Sequence, residues 1–398
     1  MKNKKKVLFV CQYFYPEKIS SGVLPYELAS KLAEDEFEVT ALVGYPKEYV
    51  SNEKQCPKRE RHNNILIKRI SYIQANRKKT IGRIINMISF SVSVLFHPKV
   101  FKDTEIFISF TNPPLLPFIV SFYRKLFNKK FVVVMYDLYP DAAIKLGYLS
   151  EKSTIAKAFN YLNKLTFKNT DKVIALSSEM KEYLVKNKHL LKEKVEVIPN
   201  WYADNYSNCS YKVEFPIKIL YGGNMGLAQD MKTIMETAYR LKDDDRFQFI
   251  FAGHGSKKEE LKQFIETNHL KNCILHDFLE KEKYDLLLES CQLAILSLNE
   301  NICGLGSPSK YYGYLALKKP VIVIMPEGTD VQQDIVNENI GLHVNSNEAN
   351  ILSEKLLELI KNPDQMKIMS KNAYKIFQEK YTLDKAVHKY KLILEELK

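Results

Sequence analysis

The sequence predicts an α/β protein built from two doubly wound domains, and three observations carry that reading. Short runs rich in Val, Ile and Phe alternate with stretches of helical period along all 398 residues, which is the signature of βαβ units and parallel sheets. The rhythm stops over Pro199 to Asn208, a polar, turn-prone and aperiodic stretch. It then restarts, because Lys218-Ile219-Leu220-Tyr221 echoes Lys6-Val7-Leu8-Phe9.

The elements follow in order. Strands are expected at 5–11, 37–43, 64–70, 105–110, 130–136, 171–176 and 194–198. Helices are expected between them at 23–35, 81–96, 115–127, 153–168 and 178–188. The second half gives strands at 217–222, 247–252, 273–276, 292–298, 320–324 and 340–344. Its helices are expected at 229–242, 256–268, 281–290, 308–317, 329–337 and 349–361, followed by a charged, wholly helical tail over 363–397. The domains expected are 1–205, 212–380 and a last helix, 381–398, crossing back to the first domain. Two such sheets facing across a cleft would bind ligands at the carboxyl ends of their strands.

Composition is globular: 45% hydrophobic, 27% charged, 14 Gly and 15 Pro. The net charge of +12 is uneven. Ten Lys or Arg fall within 54–83 against the single acid Glu60, which places +9 of the charge in one segment. Such a concentration suits a polyanion or an anionic membrane surface. The six cysteines show no CxxC spacing and no clustering with His, which argues against a zinc site or disulfide framework and for a reducing, cytoplasmic setting. The N-terminal apolar run meets Pro16-Glu17 instead of a cleavage site, so it reads as a strand. The apolar stretch Ile84 to Phe96, flanked by Arg77, Lys78, Lys79 and Arg83, is too short to span a bilayer but fits a helix lying in a membrane interface. A buried core helix fits it as well.

Three glycine loops in the second half could carry chemistry. Tyr221 is followed by Gly222, Gly223, Asn224, Met225 and Gly226. The next expected strand ends in Gly253-His254-Gly255. The third loop, Gly304-Leu305-Gly306, enters a helix through Ser307-Pro308-Ser309-Lys310. Ser307 reads as an N-cap and Pro308 as the first helical residue, so the helix entrance and Lys310 suit an anion. None of these is a GxGxxG fingerprint or a P-loop. In the first half, Gly22 follows the first strand. Asp137 and Asp141 follow the strand ending at Met135-Tyr136, where acids are placed for catalysis or acceptor binding. Asp141 also reads as a helix N-cap.

These residues resemble glycosyltransferase family 4, of GT-B fold, over nearly the whole chain. The resemblance rests on Val7-Leu8-Phe9-Val10 with Tyr15-Pro16-Glu17 and Gly22, on Val197-Ile198-Pro199-Asn200, and on Phe251-Ala252-Gly253-His254-Gly255. The most specific part is Ser307-Pro308-Ser309-Lys310 with Pro320-Val321-Ile322. Asp137 to Asp141, and Gly223-Asn224-Met225-Gly226 with Gln229, resemble the branch holding the N-acetylfucosaminyltransferases of O-antigen and capsule assembly. The resemblance implies two Rossmann-like domains and transfer, with retention of anomeric configuration, from a nucleotide-sugar donor. That donor would be a UDP-linked, N-acetylated sugar, and no metal cofactor would be needed. Gly222, Gly223, Asn224, Gly226, Gln229, Ser307, Pro308, Ser309 and Lys310 would hold the donor, with Gly253, His254 and Gly255 near the nucleoside. Gly22 would face the donor from the first domain, and Asp137 would sit by the acceptor or the transferred sugar.

The acceptor implied is a polyprenyl-diphosphate-linked saccharide at the cytoplasmic face of the cell membrane, reached through Arg77, Lys78, Lys79 and Arg83. The chain departs from the family pattern in placing Leu305 and Gly313 where two glutamates stand, and Asn224 and Gln229 where Arg and Lys are usual. Two other readings compete. One is a nucleotide-sugar 2-epimerase of the same fold. The other is a basic nucleic-acid-binding protein, which the scarcity of interleaved aromatics disfavours.

Overall fold

The computed structural model describes residues 4–34, 36–46, 56–76, 79–202 and 210–397. The chain divides into two compact units. The first comprises Met1–Pro199, Leu305–Ser307 and Leu383–Lys398; the second comprises Asn200–Gly304 and Pro308–Thr382. Lys54, Arg77, Lys78, Cys209 and most of the expected boundary stretch lie outside the described residues.

The first unit runs β1 (Lys5–Cys11), α1 (Ser20–Glu34), β2 (Phe37–Gly44), β3 (Arg59–His62), β4 (Ile65–Ile70), α2 (Thr80–Val94), α3 (Pro98–Lys102), β5 (Ile106–Phe110), α4 (Leu116–Phe127), β6 (Lys130–Met135), α5 (Asp141–Lys145), α6 (Thr154–Lys168), β7 (Lys172–Ala175), α7 (Ser178–Lys188) and β8 (Val195–Val197). Its sheet has the order β3-β4-β2-β1-β5-β6-β7-β8, parallel except for β3. The central strands are continuous apolar runs because helices cover both their faces. Phe131, Val132 and Val133 of β6 and Val7 to Val10 of β1 are all fully buried. Ser153 caps α6 and Ser177 caps α7, each hydroxyl accepting from a backbone N–H three residues on.

Among its described residues, the basic run at 54–83 is not wholly exposed. β3 takes up Arg59, Glu60 and Arg61 as an edge strand. Arg69 is buried, donating to the carbonyls of Pro57 and Tyr15 at 2.9 and 3.0 Å and pairing with Glu60 at 2.5 Å. Its charge holds the edge strand and the loop after β1 in place and presents nothing to a partner.

The second unit runs β9 (Ile217–Asn224), α8 (Met231–Arg240), β10 (Phe247–His254), α9 (Lys258–Thr267), β11 (Cys273–His276), α10 (Lys281–Ser290), β12 (Leu293–Ser297), α11 (Lys310–Ala316), β13 (Val321–Ile324), α12 (Asp330–Asn337), β14 (Gly341–Val344), α13 (Ala349–Leu359) and α14 (Pro363–Lys380). Its all-parallel sheet has the order β11-β10-β9-β12-β13-β14. The order reverses between β9 and β12, so loops leave those two strands in opposite directions and open a crevice at their carboxyl ends. Gly222 and Gly223 lie at that end of β9.

The tail is two helices. The chain breaks after α14 at Tyr381-Thr382, and α15 (Leu383–Glu396) belongs to the first unit. There it buries Tyr390 and Leu394 and packs along α1. Lys5 Nζ donates to the carbonyls of Leu394 and Glu395 at 3.0 and 3.1 Å, at the end of the helix where a cation is favoured.

Candidate active site

Two of the glycine loops of the second unit come together. β9 and β10 are in register with Gly223 opposite Gly253 and Asn224 opposite His254. The Met225 N–H then donates to the His254 carbonyl at 2.7 Å, and the Lys257 N–H to the Met225 carbonyl at 2.8 Å. The backbones approach so closely that only glycine fits. A Cβ on Gly253 would lie 1.8 Å from the Gly223 oxygen, and one on Gly255 2.2 Å from the Met225 oxygen. Both residues also have positive φ, 155° and 146°. Gly253→Ala is therefore expected to destabilise the protein by about 2–4 kcal/mol through forced backbone displacement and strain, measured as a lowered midpoint in urea.

Lys310 completes this group, though not through the helix entrance expected. The helix begins at Lys310 and has Ser309 as its N-cap, with no side-chain capping bond. Ser307 is therefore not the cap, and Pro308 precedes the first helical residue. The reason is a long-range pairing. Residues 305–307 belong with the first unit, where the Leu305 carbonyl accepts from Leu138 N–H at 3.0 Å and Gly306 bridges to Asp137. The helix can start only after that pairing ends.

Lys310 lays its stem against Gly223, whose added Cβ would sit 2.7 Å from Lys310 Cε. Its ammonium lies 4.4 Å from the centre of the Tyr284 ring, a cation–π contact. Burial lowers its pKa to about 8, a shift the nearby Asp285 opposes. Tyr284 packs on the backbone of Gly222, where a Cβ would meet its hydroxyl at 2.2 Å. Tyr314 Oη donates to the Gly222 carbonyl at 3.4 Å. On the adjacent turn of α10, Lys281 donates to Tyr202 Oη at 3.1 Å and pairs with Asp285 at 2.6 Å. Tyr202 in turn packs on Gly313, 3.2 Å from where a Cβ would be. An aromatic ring thus fills the space beside one of the two positions where the family pattern has glutamate. Leu305, the other, is buried.

The remaining expected donor residues are less engaged. Asn224 and His254 are exposed, and the His254 ring lies 5.8 Å from that of Phe278. Gln229 Oε1 accepts from Gly226 N–H at 3.1 Å and shapes the turn. Gly22 lies in the first turn of α1, with its N–H bonded to Ile19.

In the first unit the two acids after β6 separate cleanly. Asp141 is tied by Tyr183 Oη at 2.7 Å and Lys188 Nζ at 2.6 Å, and it starts α5 without capping it. Asp137 has only its backbone held, its N–H donating to Thr111 Oγ1 at 3.2 Å. Its carboxylate has no hydrogen-bonding or ionic partner among the described residues. The side chain meets solvent, yet the protein around it desolvates the charged form and raises its pKa to about 6. It shares a narrow cavity with Thr111, Met135, Tyr139 and Asn163. Lys79 precedes α2 and Arg83 lies on its first turn, both exposed. The Arg83 charge reaches the Tyr139 phenol, against the upward pull of burial.

Sequence reasoning missed Tyr202, Lys281, Tyr284 and Asp285. Their only signal was indirect, in that Gly222 and Gly313 each leave room for a ring.

The chain has the fold of a GT-B glycosyltransferase. The chain carries its two domains in order: residues 22–203 match Glycosyltransferase Family 4, and residues 205–376 match Glycosyl transferases group 1. Among curated sequences it is 23% identical to the probable glycosyltransferase WbjE of Pseudomonas aeruginosa, over 64% of this chain and 66% of that protein, just under two thirds of the latter. It is 25% identical to the putative colanic acid biosynthesis glycosyl transferase WcaI of Escherichia coli, over 52% and 54%. Among solved structures, Anabaena Alr3699/HepE in complex with UDP superposes with a TM-score of 0.68 at 13% identity, covering 98% of this chain and all of the other. Sucrose-phosphate synthase of Thermosynechococcus elongatus gives 0.69 at 15% identity, covering 99% of both.

Proposed function

We propose that this glycosyltransferase is a retaining enzyme of the N-acetylfucosaminyltransferase-like branch. It moves a hexose, N-acetylated, from a UDP-sugar to a polyprenyl-diphosphate-linked saccharide during assembly of a bacterial surface polysaccharide, O-antigen or capsule. It works in the cytoplasm, held at the inner face of the cell membrane, and uses no metal cofactor. The observation that carries this reading is Lys310, a desolvated ammonium held on the Tyr284 ring and against Gly223, beside the two paired glycine loops after β9 and β10. As the bond from the anomeric carbon to the diphosphate oxygen breaks, negative charge builds on UDP, and a preorganised cation in a desolvated site stabilises it. The acceptor hydroxyl oxygen forms the new bond, and its proton passes to Asp137.

The UDP and UDP-glucose complexes of HepE support the donor class, and the similarity to WcaI, a putative colanic acid biosynthesis glycosyl transferase, supports the polysaccharide assignment. Thermal shift against a panel of nucleoside diphosphates tests the donor. Uridine diphosphate is expected to raise Tm above the other bases by mass action, and no response to any of them would sink the reading. Release of a new sugar linkage only when an acceptor is supplied separates a transferase from a 2-epimerase, and the product's anomeric configuration tests retention.

A further inference from the structure

Deepening the membrane part of the function proposed above, and resting on it, we infer that the docking surface is an apolar face formed by α2 and α4, inserted shallowly into an anionic lipid surface. Ile81, Ile84, Ile85, Ile88 and Val92 recur at i, i+3, i+4, i+7 and i+11, which places them on one side of a helix. All five are exposed, Ile81 by 72%. The opposite side of α2 is satisfied, since Asn86, Phe90 and Val94 are buried. Leu95 and Phe96 extend the stripe past the helix end, and Phe96 is 76% exposed. Ile73, 60% exposed, lies along one margin, where its N–H donates to Ser89 Oγ at 3.2 Å. On α4, Phe122 and Leu126 are 50% and 57% exposed one turn apart. The Tyr123 between them donates to the Leu95 carbonyl at 2.6 Å, which joins the two helices. A patch this continuous marks an interaction site.

Charge selects the occupant. From 79 to 102 the charged residues are Lys79, Arg83, Lys99 and Lys102, and on α4 and its end they are Arg124, Lys125 and Lys129; none of these stretches contains a carboxylate. Arg124 is neutralised by Asp171 at 2.9 Å. Asp103, which ends α3, and Glu105 just beyond it are the nearest acids in sequence. Lys79, Lys99, Lys102 and Lys125 remain exposed at the margins. An apolar face with a cationic border matches hydrocarbon below and anionic headgroups around it. The charge run at 54–83 contributes less, because its Arg69 is buried.

Flotation with phosphatidylcholine vesicles, with and without an anionic phospholipid, tests this. The full chain is expected to float with the anionic vesicles and to keep part of that binding at high salt, since insertion is apolar. The double substitution Ile84→Glu/Ile88→Glu is expected to weaken vesicle binding roughly 10-fold or more, with the UDP-induced thermal shift unchanged. If the wild type floats and the double variant floats equally, this face is wrong while the membrane reading stands. If the wild type does not float, the membrane reading itself falls, while the UDP response still reports on the donor site. If the wild type is a dimer in solution that the same substitutions make monomeric, the face joins two copies and the proposal is overturned.

Discussion

Lys310→Ala is expected to lower kcat by about 10²–10³-fold, the usual cost of removing one preorganised charge at a developing anion. The variant should fold normally, because the lysine lies against Gly223 and the face of the Tyr284 ring and holds no core element in place. Its UDP-induced rise in Tm should vanish. A pH series adds a sharper reading. With its pKa lowered to about 8 by burial, Lys310 is charged below pH 8 and loses its proton above it. UDP affinity, measured by calorimetry, should therefore fall by up to about tenfold per pH unit above 8, and should be flat over the same range in Lys310→Met. The empty protein should behave in the opposite sense. The folded lysine releases its proton more readily than the unfolded one, whose value is 10.5, so this residue makes stability rise with pH between those two values. An affinity that does not change from pH 7 to 9.5 would remove Lys310 from the donor site.

Asp137→Asn is expected to lower kcat/KM by about 10²-fold or more, the range for loss of a positioned base. The size depends on a contrast within one short segment. Asp141 is committed to Tyr183 and Lys188, so Asp141→Asn should disturb stability more than turnover. Asp137 has no such commitment. Desolvation raises its pKa to about 6, so the carboxylate form predominates above that pH. Activity of the wild type should climb through pH 6, and this limb of the profile should be missing from Asp137→Asn. A variant that keeps both the rate and the acid limb would exclude the carboxylate from the chemistry.

Much of the fold was legible because parallel strands buried on both faces must be continuous apolar runs, and those of β1, β6 and β13 stand out in the sequence. β3 was not legible, because an edge strand of Arg-Glu-Arg-His carries no apolar alternation; its order depends on the buried Arg69 from the neighbouring strand. The short α3 was unread for a similar reason, since a single helical turn shows no periodicity, and α5 was signalled only by Asp141 at its start. The glycine loops were readable one by one, and the meeting of the first two follows from the parallel register of β9 and β10. The start of α11 was misread because Ser-Pro is a strong local signal. The pairing of Leu305 and Gly306 with Asp137 and Leu138 overrode it, and no local pattern encodes that pairing. Nor could the sequence reveal that the ring of Tyr202 fills the space beside Gly313.

The return of α15 to the first unit bears on how the protein is made. β1 and α1 leave the ribosome early, yet the helix that covers α1 and receives Lys5 is synthesised only after the whole second unit. During translation the first unit must wait with that surface uncovered, while the second can close on itself. Vectorial synthesis thus inverts the order of completion, and truncation just before Leu383 should leave the earlier-made unit, not the later one, open to proteolysis.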